Sequence, residues 1–186
     1  MPKIVGDTLA AHRAQVRSQV FEAFIALMEE RGYAAITLSD IAARAGVGRT
    51  AFYNHFRDKE AVVVGLALHE TTEYVTSARA ALVGSRTPVE SLRLYVRHHI
   101  ERQGDLHFGF GPELWGLLSP AALAQMRDHV VEVEAVLLEI LQQGCDTGLF
   151  AVDDLPAAVA LINACLQPRR LDPETVADFV SRAVRA

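Results

Sequence analysis

The sequence has few of the features of a secreted, metal-binding or membrane-embedded protein. Only two of its 186 residues are cysteine, and the spacing of Cys145 and Cys165 matches neither a disulfide framework nor a metal site. We expect both thiols to be small packed side chains, with a redox pair as the alternative. No run approaches the roughly 18 apolar residues of a membrane span, and the N-terminus lacks the apolar stretch of a signal peptide. The sequence therefore predicts a cytoplasmic protein.

The chain also lacks the strong positive charge that is typical of nucleic-acid-binding proteins. It has 18 Lys and Arg against 23 Asp and Glu, a net charge of −5. The deficit is uneven, because residues 1–60 carry a net charge of +1 and residues 61–186 a net charge of −6. Only a surface patch has to meet phosphate, so the local field matters more than the total charge. We expect specific DNA binding to be salt-sensitive and non-specific binding to be weak.

Helical periodicity runs through the whole chain, and no strand pattern, repeat or low-complexity tract interrupts it. Glycine or proline separates most of the successive segments. The pattern predicts an all-α protein with a short frayed arm over residues 1–8 and about nine helices. Their approximate ranges are 9–31, 37–45, 49–56, 58–82, 88–103, 113–118, 120–144, 155–166 and 173–185.

The clearest local motif lies between Thr37 and Phe56. Thr37 and Asp40 fit a capping box at the start of one short helix, and Gly46 supplies the left-handed position that ends it. A second short helix is expected to bury Ala51, Phe52 and Phe56 and to leave Arg49, Thr50, Tyr53 and Asn54 pointing outward. Two short helices, a glycine turn and a polar outer face predict a helix-turn-helix.

The run from Ile41 to Val62, IAARAGVGRTAFYNHFRDKEAV, resembles the N-terminal signature of the tetracycline-repressor-like (TetR) transcriptional regulators. The resemblance extends over about residues 16–68. Gly48 departs from it, since the family usually has serine there as the helix N-cap, but glycine weakens a cap by only a few tenths of a kcal/mol. The resemblance implies a helix-turn-helix DNA-binding domain over residues 9–57 and a helical effector-binding and dimerisation domain over residues 58–186.

The motif also supplies candidate DNA contacts. A recognition helix needs hydrogen-bonding side chains for base edges and further donors for phosphates. Arg49 and Thr50 lie at the start of the second short helix and are candidates for base edges. The resemblance implies phosphate contacts for Tyr53, His55 and Lys59, and contacts from the preceding helix for others. The predicted DNA-binding set is Thr37, Ser39, Arg49, Thr50, Tyr53, Asn54, His55 and Lys59.

A single helix-turn-helix reads only a few base pairs, so we expect a homodimer on a palindromic operator. The resemblance places the dimer interface in the last two helices, about 155–166 and 173–185. The last helix carries an apolar stripe of Val176, Phe179, Val180 and Ala183. Residues 157–166 are apolar nearly all round, which predicts a helix buried on every side. The alternative is that this helix only fills the core of the monomer.

The resemblance further implies a pocket for a small, mostly apolar effector between the middle helices. Its candidate lining is Tyr95, His99, Phe108, Phe110, Trp115, Met126 and His129, and ordinary core packing is the alternative for each. His98 and His99 with Glu101 and His129 would offer metal ligands. Adjacent helical residues diverge by about 100°, however, so the two histidines do not easily share one ion, and we expect no metal or other cofactor.

The resemblance implies a repressor that its effector releases from DNA, with helix four moving the DNA-binding domain. A ligand-dependent activator of the same family is the alternative. An enzyme is disfavoured because the sequence contains no nucleophile–base pairing, phosphate loop or metal-ligand spacing. An architectural DNA-binding protein is disfavoured by the acidic body, since non-specific binding depends on neutralising phosphates.

Overall fold

The computed structural model describes residues 5–102, 114, 116–167 and 171–186. Over these residues the chain forms eight α-helices, and a 3₁₀ turn, Tyr33–Ala35, lies between the first two. The helices are α1 (Val5–Arg31), α2 (Leu38–Arg44), α3 (Arg49–His55), α4 (Lys59–Ala81), α5 (Pro88–Arg102), α6 (Pro120–Asp146), α7 (Leu155–Leu166) and α8 (Pro173–Val184).

The all-α prediction is confirmed. Within the described ranges the only β-pairing is an isolated antiparallel bridge between Phe150 and Arg185. Of the predicted helix over residues 113–118, the structure describes Leu114, which is helical, and residues 116–118, which form a turn and a bend. The predicted N-terminal arm is wrong in part, because α1 begins at Val5 rather than near residue 9. Across the described helices, none is long and apolar enough to cross a membrane.

One compact unit comprises Met1–Ala67 and Phe110–Gln125. Its core takes one or more side chains from each of its first four helices, because each helix has an apolar face at helical spacing. The residues that are at most 2% exposed are Val20, Phe24, Leu27, Ile36, Ile41, Phe52, Phe56, Val62 and Val63. The rings of Phe21 and Phe56 meet edge-on with centroids 5.7 Å apart. This packing holds α3 against α1.

The second unit comprises Leu68–Gly109 and Met126–Ala186. Its core contains Leu92, Tyr95, Val96, Val136, Leu137, Ile140, Leu141, Phe150, Val159, Ile162, Leu166, Val176, Ala177, Val180 and Val184. Close packing near the end of α6 requires a glycine, since a Cβ on Gly144 would lie 1.8 Å from a ring carbon of Phe150. Arg93 of α5 forms ion pairs with Glu174 and Asp178 of α8, so charge as well as apolar contact joins these two helices.

Two expectations for the last helices are corrected by the structure. Helix α7 is not buried on every side: Leu161 is 69% exposed, and the small residues Ala157, Ala160 and Ala164 are exposed with it. In α8 the predicted stripe is divided between two faces. Val176 and Val180 are buried in the core of the second unit, whereas Phe179, at 57% exposure, and Ala183 face outward. Helical periodicity alone gave no way to separate these faces, because both are apolar.

Candidate nucleic-acid interface

The predicted capping box at the start of α2 is present. The Asp40 backbone N–H donates to Oγ1 of Thr37 at 3.2 Å, and the Thr37 N–H donates to Oδ2 of Asp40 at 2.9 Å. The Thr37 hydroxyl also donates to that carboxylate at 2.6 Å. The hydrogen bonds from Thr37 hold the pKa of Asp40 below its ordinary value. Thr37 therefore fixes where α2 begins, while the neighbouring Ser39 remains exposed.

The turn between α2 and α3 follows the prediction as well. Gly46 has φ of 65°, which is in the left-handed region that favours glycine. The Val47 N–H then donates to the Ala42 carbonyl at 3.0 Å and closes the end of α2. Gly48 precedes α3 in an extended conformation and contributes no side-chain cap. The local hydrogen bonds thus set the geometry of the turn.

Helix α3 is anchored on one side and open on the other. Phe52 is 1% exposed, and Phe56, which follows the last turn, is 2% exposed. Ala51 is half-buried rather than buried as predicted. On the opposite side the structure brings together four predicted contact residues, all exposed: Arg49, Thr50, Tyr53 and Asn54. The Arg49 guanidinium lies 5.9 Å from the centroid of the Tyr53 ring. The outward face of α3 therefore carries a cation and several hydrogen-bonding groups.

His55, in the last turn of α3, is half-buried. Burial lowers its pKa below the ordinary value of 6.5, and the charges of Arg17, Arg13 and His12 on α1 lower it further. At neutral pH the imidazole is therefore mostly uncharged, and it offers a hydrogen bond rather than a positive charge. The predicted site did not include the α1 residues. The only sequence signal for them is the four-residue spacing of Arg13 and Arg17, which places both on one helix face.

The structure places Lys59 in a role that the sequence did not predict. Its Nζ donates to the Tyr33 carbonyl at 2.7 Å and to the Ile36 carbonyl at 2.8 Å, and it lies 4.0 Å from the centroid of the Tyr33 ring. Burial lowers the pKa of Lys59, and burial together with the charges of Glu60 and Asp58 raises that of Tyr33 to about 12. An ammonium has three N–H donors, so one is left for a phosphate.

The neighbouring acid, Glu60, also makes a structural contact. Its carboxylate accepts hydrogen bonds from the Ser119 N–H at 2.9 Å and from the Ser119 hydroxyl at 2.6 Å. The Ala122 N–H donates to the Ser119 hydroxyl oxygen at 3.3 Å, so Ser119 caps α6. The first turn of α4 therefore holds the chain before α2 through Lys59 and the start of α6 through Glu60.

The arginines of the first unit fall into two groups. Arg44 forms a bidentate ion pair with Glu30, at 2.5 and 2.9 Å, and Arg57 pairs with Asp58 at 2.9 Å. By contrast, Arg13, Arg17, Arg31 and Arg49 form no ion pair with any residue that the structure describes. These four cations lie on α1 and α3, so positive charge is available on both helices.

Of the predicted effector-pocket residues, Tyr95, His99 and Met126 are described, whereas Phe108, Phe110, Trp115 and the side chain of His129 lie outside the described part. A hydrogen bond of 2.8 Å joins the buried Tyr74 hydroxyl to Nδ1 of His99, and burial lowers the pKa of His99 to about 4. His98 instead pairs with the Ser77 hydroxyl at 3.0 Å. The two histidines therefore bind different partners, and no group of three possible metal ligands occurs among the residues with described positions.

Known proteins resemble this chain most clearly around the helix-turn-helix. Residues 20–66 match the sequence family described as bacterial regulatory proteins, tetR family. The HTH-type transcriptional regulator AlkX of Mycobacterium tuberculosis is 38% identical over 72 residues, which are 39% of this chain and 34% of AlkX. The chain thus matches about a third of the length of this curated relative.

Solved structures resemble the chain over most of its length. A bacterial regulatory protein of the tetR family from Rhodococcus RHA1 has a TM-score of 0.72 at 22% identity, covering 94% of this chain and 97% of that chain. FadR from Bacillus subtilis in complex with stearoyl-CoA has a TM-score of 0.72 at 17% identity, covering 91% and 97%. At these identities the similarity establishes the fold alone.

Proposed function

Because the chain belongs to the tetracycline-repressor-like family of bacterial regulatory proteins, we propose that it is a repressor that binds a palindromic operator as a homodimer. A small, mostly apolar effector releases it. The regulators of this family are not enzymes. The observation that carries the proposal is the exposed polar face of α3, on a helix whose other side is anchored by Phe52 and Phe56.

In the proposed complex α3 is the recognition helix and enters the major groove. Arg49 contacts guanine O6 and N7, a pairing that contributes about 1–3 kcal/mol of discrimination against other bases. Thr50 and Asn54 contact neighbouring base edges. Phosphates are bound by Tyr53, His55 and the remaining N–H of Lys59, and Ser39 in the first turn of α2 contacts the DNA backbone or a base edge. The hydroxyl and backbone N–H of Thr37 already donate to Asp40, so Thr37 positions the start of α2 rather than donating to a phosphate. The DNA-binding domain spans residues 9–57, and residues 58–186 bind the effector and dimerise.

The apolar outer face of α7 and α8 supports the proposed dimer. Exposed apolar patches are unfavourable in water unless another surface covers them. The face that remains open contains Ala157, Ala160, Leu161, Ala164, Phe179 and Ala183. Val176 and Val180 do not belong to it, because they are buried in the core. Two copies of this face would meet about a two-fold axis and place two recognition helices on successive turns of the operator.

The stearoyl-CoA in the Bacillus subtilis FadR structure supports an apolar effector for this chain by analogy. Release requires the effector to bind one conformation better than the other: a shift from 1:99 to 99:1 needs about 5.5 kcal/mol of differential affinity. Reciprocity then requires operator DNA to weaken effector binding by the same factor. If instead a ligand strengthens operator binding, or raises transcription from a reporter, the chain is a ligand-dependent activator.

Selection from a random duplex library at physiological salt, followed by anisotropy titration of the winning duplex, tests this function. We expect an inverted repeat, and Arg49→Ala should lose discrimination at one symmetric position of each half-site. Arg86→Ala, at an exposed position outside the proposed interface, is the charge-matched control and should keep the wild-type preference. If no sequence is enriched, before or after ligand-free refolding, the proposal is wrong.

A further inference from the structure

We propose that Arg13 and Arg17 of α1 form a second phosphate-binding surface, which contacts the operator backbone beside the end of the recognition helix. The inference rests on the proposed DNA-binding function and adds contacts outside the helix-turn-helix motif. The ligand is the DNA backbone rather than its bases, because two guanidinium groups on a helix outside the major groove recognise phosphate charge and geometry and not sequence.

The first argument is that these two charges have no ion-pair partner among the residues that the structure describes. Neither arginine forms an ion pair in the described structure, although Arg44 in the same unit is paired bidentately. On a helix, each arginine could pair with an acid three or four positions away. Those positions are all apolar, apart from the other arginine of the pair. Like charges at this spacing repel each other on a helix. A bound phosphate would convert that repulsion into two favourable contacts.

The second argument is position. The Arg17 guanidinium lies 5.6 Å from the centroid of the Phe21 ring and 5.9 Å from that of Phe56, the residue that directly follows α3. Both rings are buried, so they hold the guanidinium beside the end of α3. Stacking occupies the face of a guanidinium and leaves its edge N–H groups for a phosphate. Arg13, one turn earlier on α1, is exposed.

The third argument is that His55, the predicted phosphate contact in the last turn of α3, does not supply a positive charge. His55 is mostly uncharged at neutral pH, and its neighbours on α1 are the cause in part. A competing explanation is that the two arginines only stabilise α3 by interacting with the negative end of its dipole. The two explanations differ in their salt dependence, because only phosphate binding releases counterions from DNA.

The test is the slope of log affinity against log KCl concentration, measured by anisotropy on the duplex that wild-type protein selects. Each phosphate contact contributes about 0.9 to the magnitude of this negative slope. Removing one contact per protomer of a dimer should therefore decrease the magnitude of the slope by roughly 1.8. We expect this decrease for Arg13→Ala and for Arg17→Met, which keeps an apolar side chain on the rings. Arg86→Ala changes the net charge equally and should leave the slope unchanged.

Arg17→Met and Arg17→Lys together separate the two explanations, because Arg17→Met removes the charge and Arg17→Lys keeps it. A phosphate contact predicts a shallower slope for Arg17→Met and a near-normal slope for Arg17→Lys, whereas a purely structural role predicts unchanged slopes for every variant. An unchanged slope in both Arg13→Ala and Arg17→Met overturns the inference, as does an equal decrease in Arg86→Ala. If wild-type protein selects no duplex, the proposed function itself is wrong. That failure is distinguishable from failure of this inference, because the selection is done before any variant is titrated.

Discussion

Acidification should destabilise the second unit through one half-buried histidine, His99. Burial lowers the pKa of this imidazole from 6.5 to about 4 in the folded chain, while the unfolded chain keeps the ordinary value. Between those two values the unfolded state binds a proton that the folded state does not. The stability that the neutral imidazole contributes is therefore complete above about pH 6.5 and is lost progressively as the pH falls towards 4.

The size of the effect follows from the two pKa values. One pKa unit corresponds to about 1.4 kcal/mol. A pH of about 5 is roughly 1.5 units below the pKa of the unfolded imidazole and still above that of the folded one, so at this pH the imidazole is protonated mainly in the unfolded chain. His99 should therefore lower the free energy of unfolding by about 2 kcal/mol between neutral pH and about pH 5. The carboxylates whose pKa values are depressed by ion pairs, such as Glu139 and Glu174, titrate mainly at still lower pH.

The assay is urea unfolding followed by far-UV circular dichroism at both pH values, at one protein concentration because association also affects stability. His99→Asn keeps an oxygen acceptor for the Tyr74 hydroxyl and removes the titration, so its loss of stability on acidification should be about 2 kcal/mol smaller than in wild type. His69→Asn, at a side chain that is 43% exposed, is the control and should behave as wild type. Equal losses in His99→Asn and wild type would refute the reasoning.

Two further predictions concern the cap of α2 and the dimer. Thr37→Ala removes the side-chain acceptor for the Asp40 N–H and should lower the free energy of unfolding by about 1 kcal/mol. Thr37→Ser keeps a hydroxyl and should retain most of the wild-type stability. Equal urea midpoints for the two variants would contradict the role of the cap. Leu161→Arg together with Phe179→Glu should yield a monomer in sedimentation velocity with unchanged helix content, and persistence of a dimer would place the interface elsewhere.

Much of the candidate site could be predicted because its geometry depends on residues close together in the chain. The capping box joins residues three apart, and the glycine turn closes through hydrogen bonds that span three and five residues. The anchoring of α3 by Phe52 and Phe56 follows from helical spacing. The cap and the turn need no contact from distant parts of the chain, and the apolar spacing of Phe52 and Phe56 marks the side of α3 that packs against α1. Residue type and spacing were therefore enough to locate them.

The contacts of Lys59 and Glu60 could not be predicted in the same way. Lys59 bonds to carbonyl oxygens 26 and 23 residues earlier, and Glu60 bonds to Ser119, 59 residues later. Every residue has a backbone carbonyl, so a lysine that binds two of them has no distinctive sequence pattern. The position of Arg17 over Phe56 is likewise set by the packing of α1 against α3.

By itself, then, the sequence determined the helical fold, the helix-turn-helix and the outward set on α3, because hydrophobic periodicity, caps and turn glycines act within a few residues. Only the tertiary structure decided which apolar faces of α7 and α8 are buried, how far the pKa of His99 falls, and which cations remain unpaired. Those properties depend on neighbours brought together by packing. Burial, dielectric environment and charge pairing are properties of the folded surroundings, and residue order alone does not specify them.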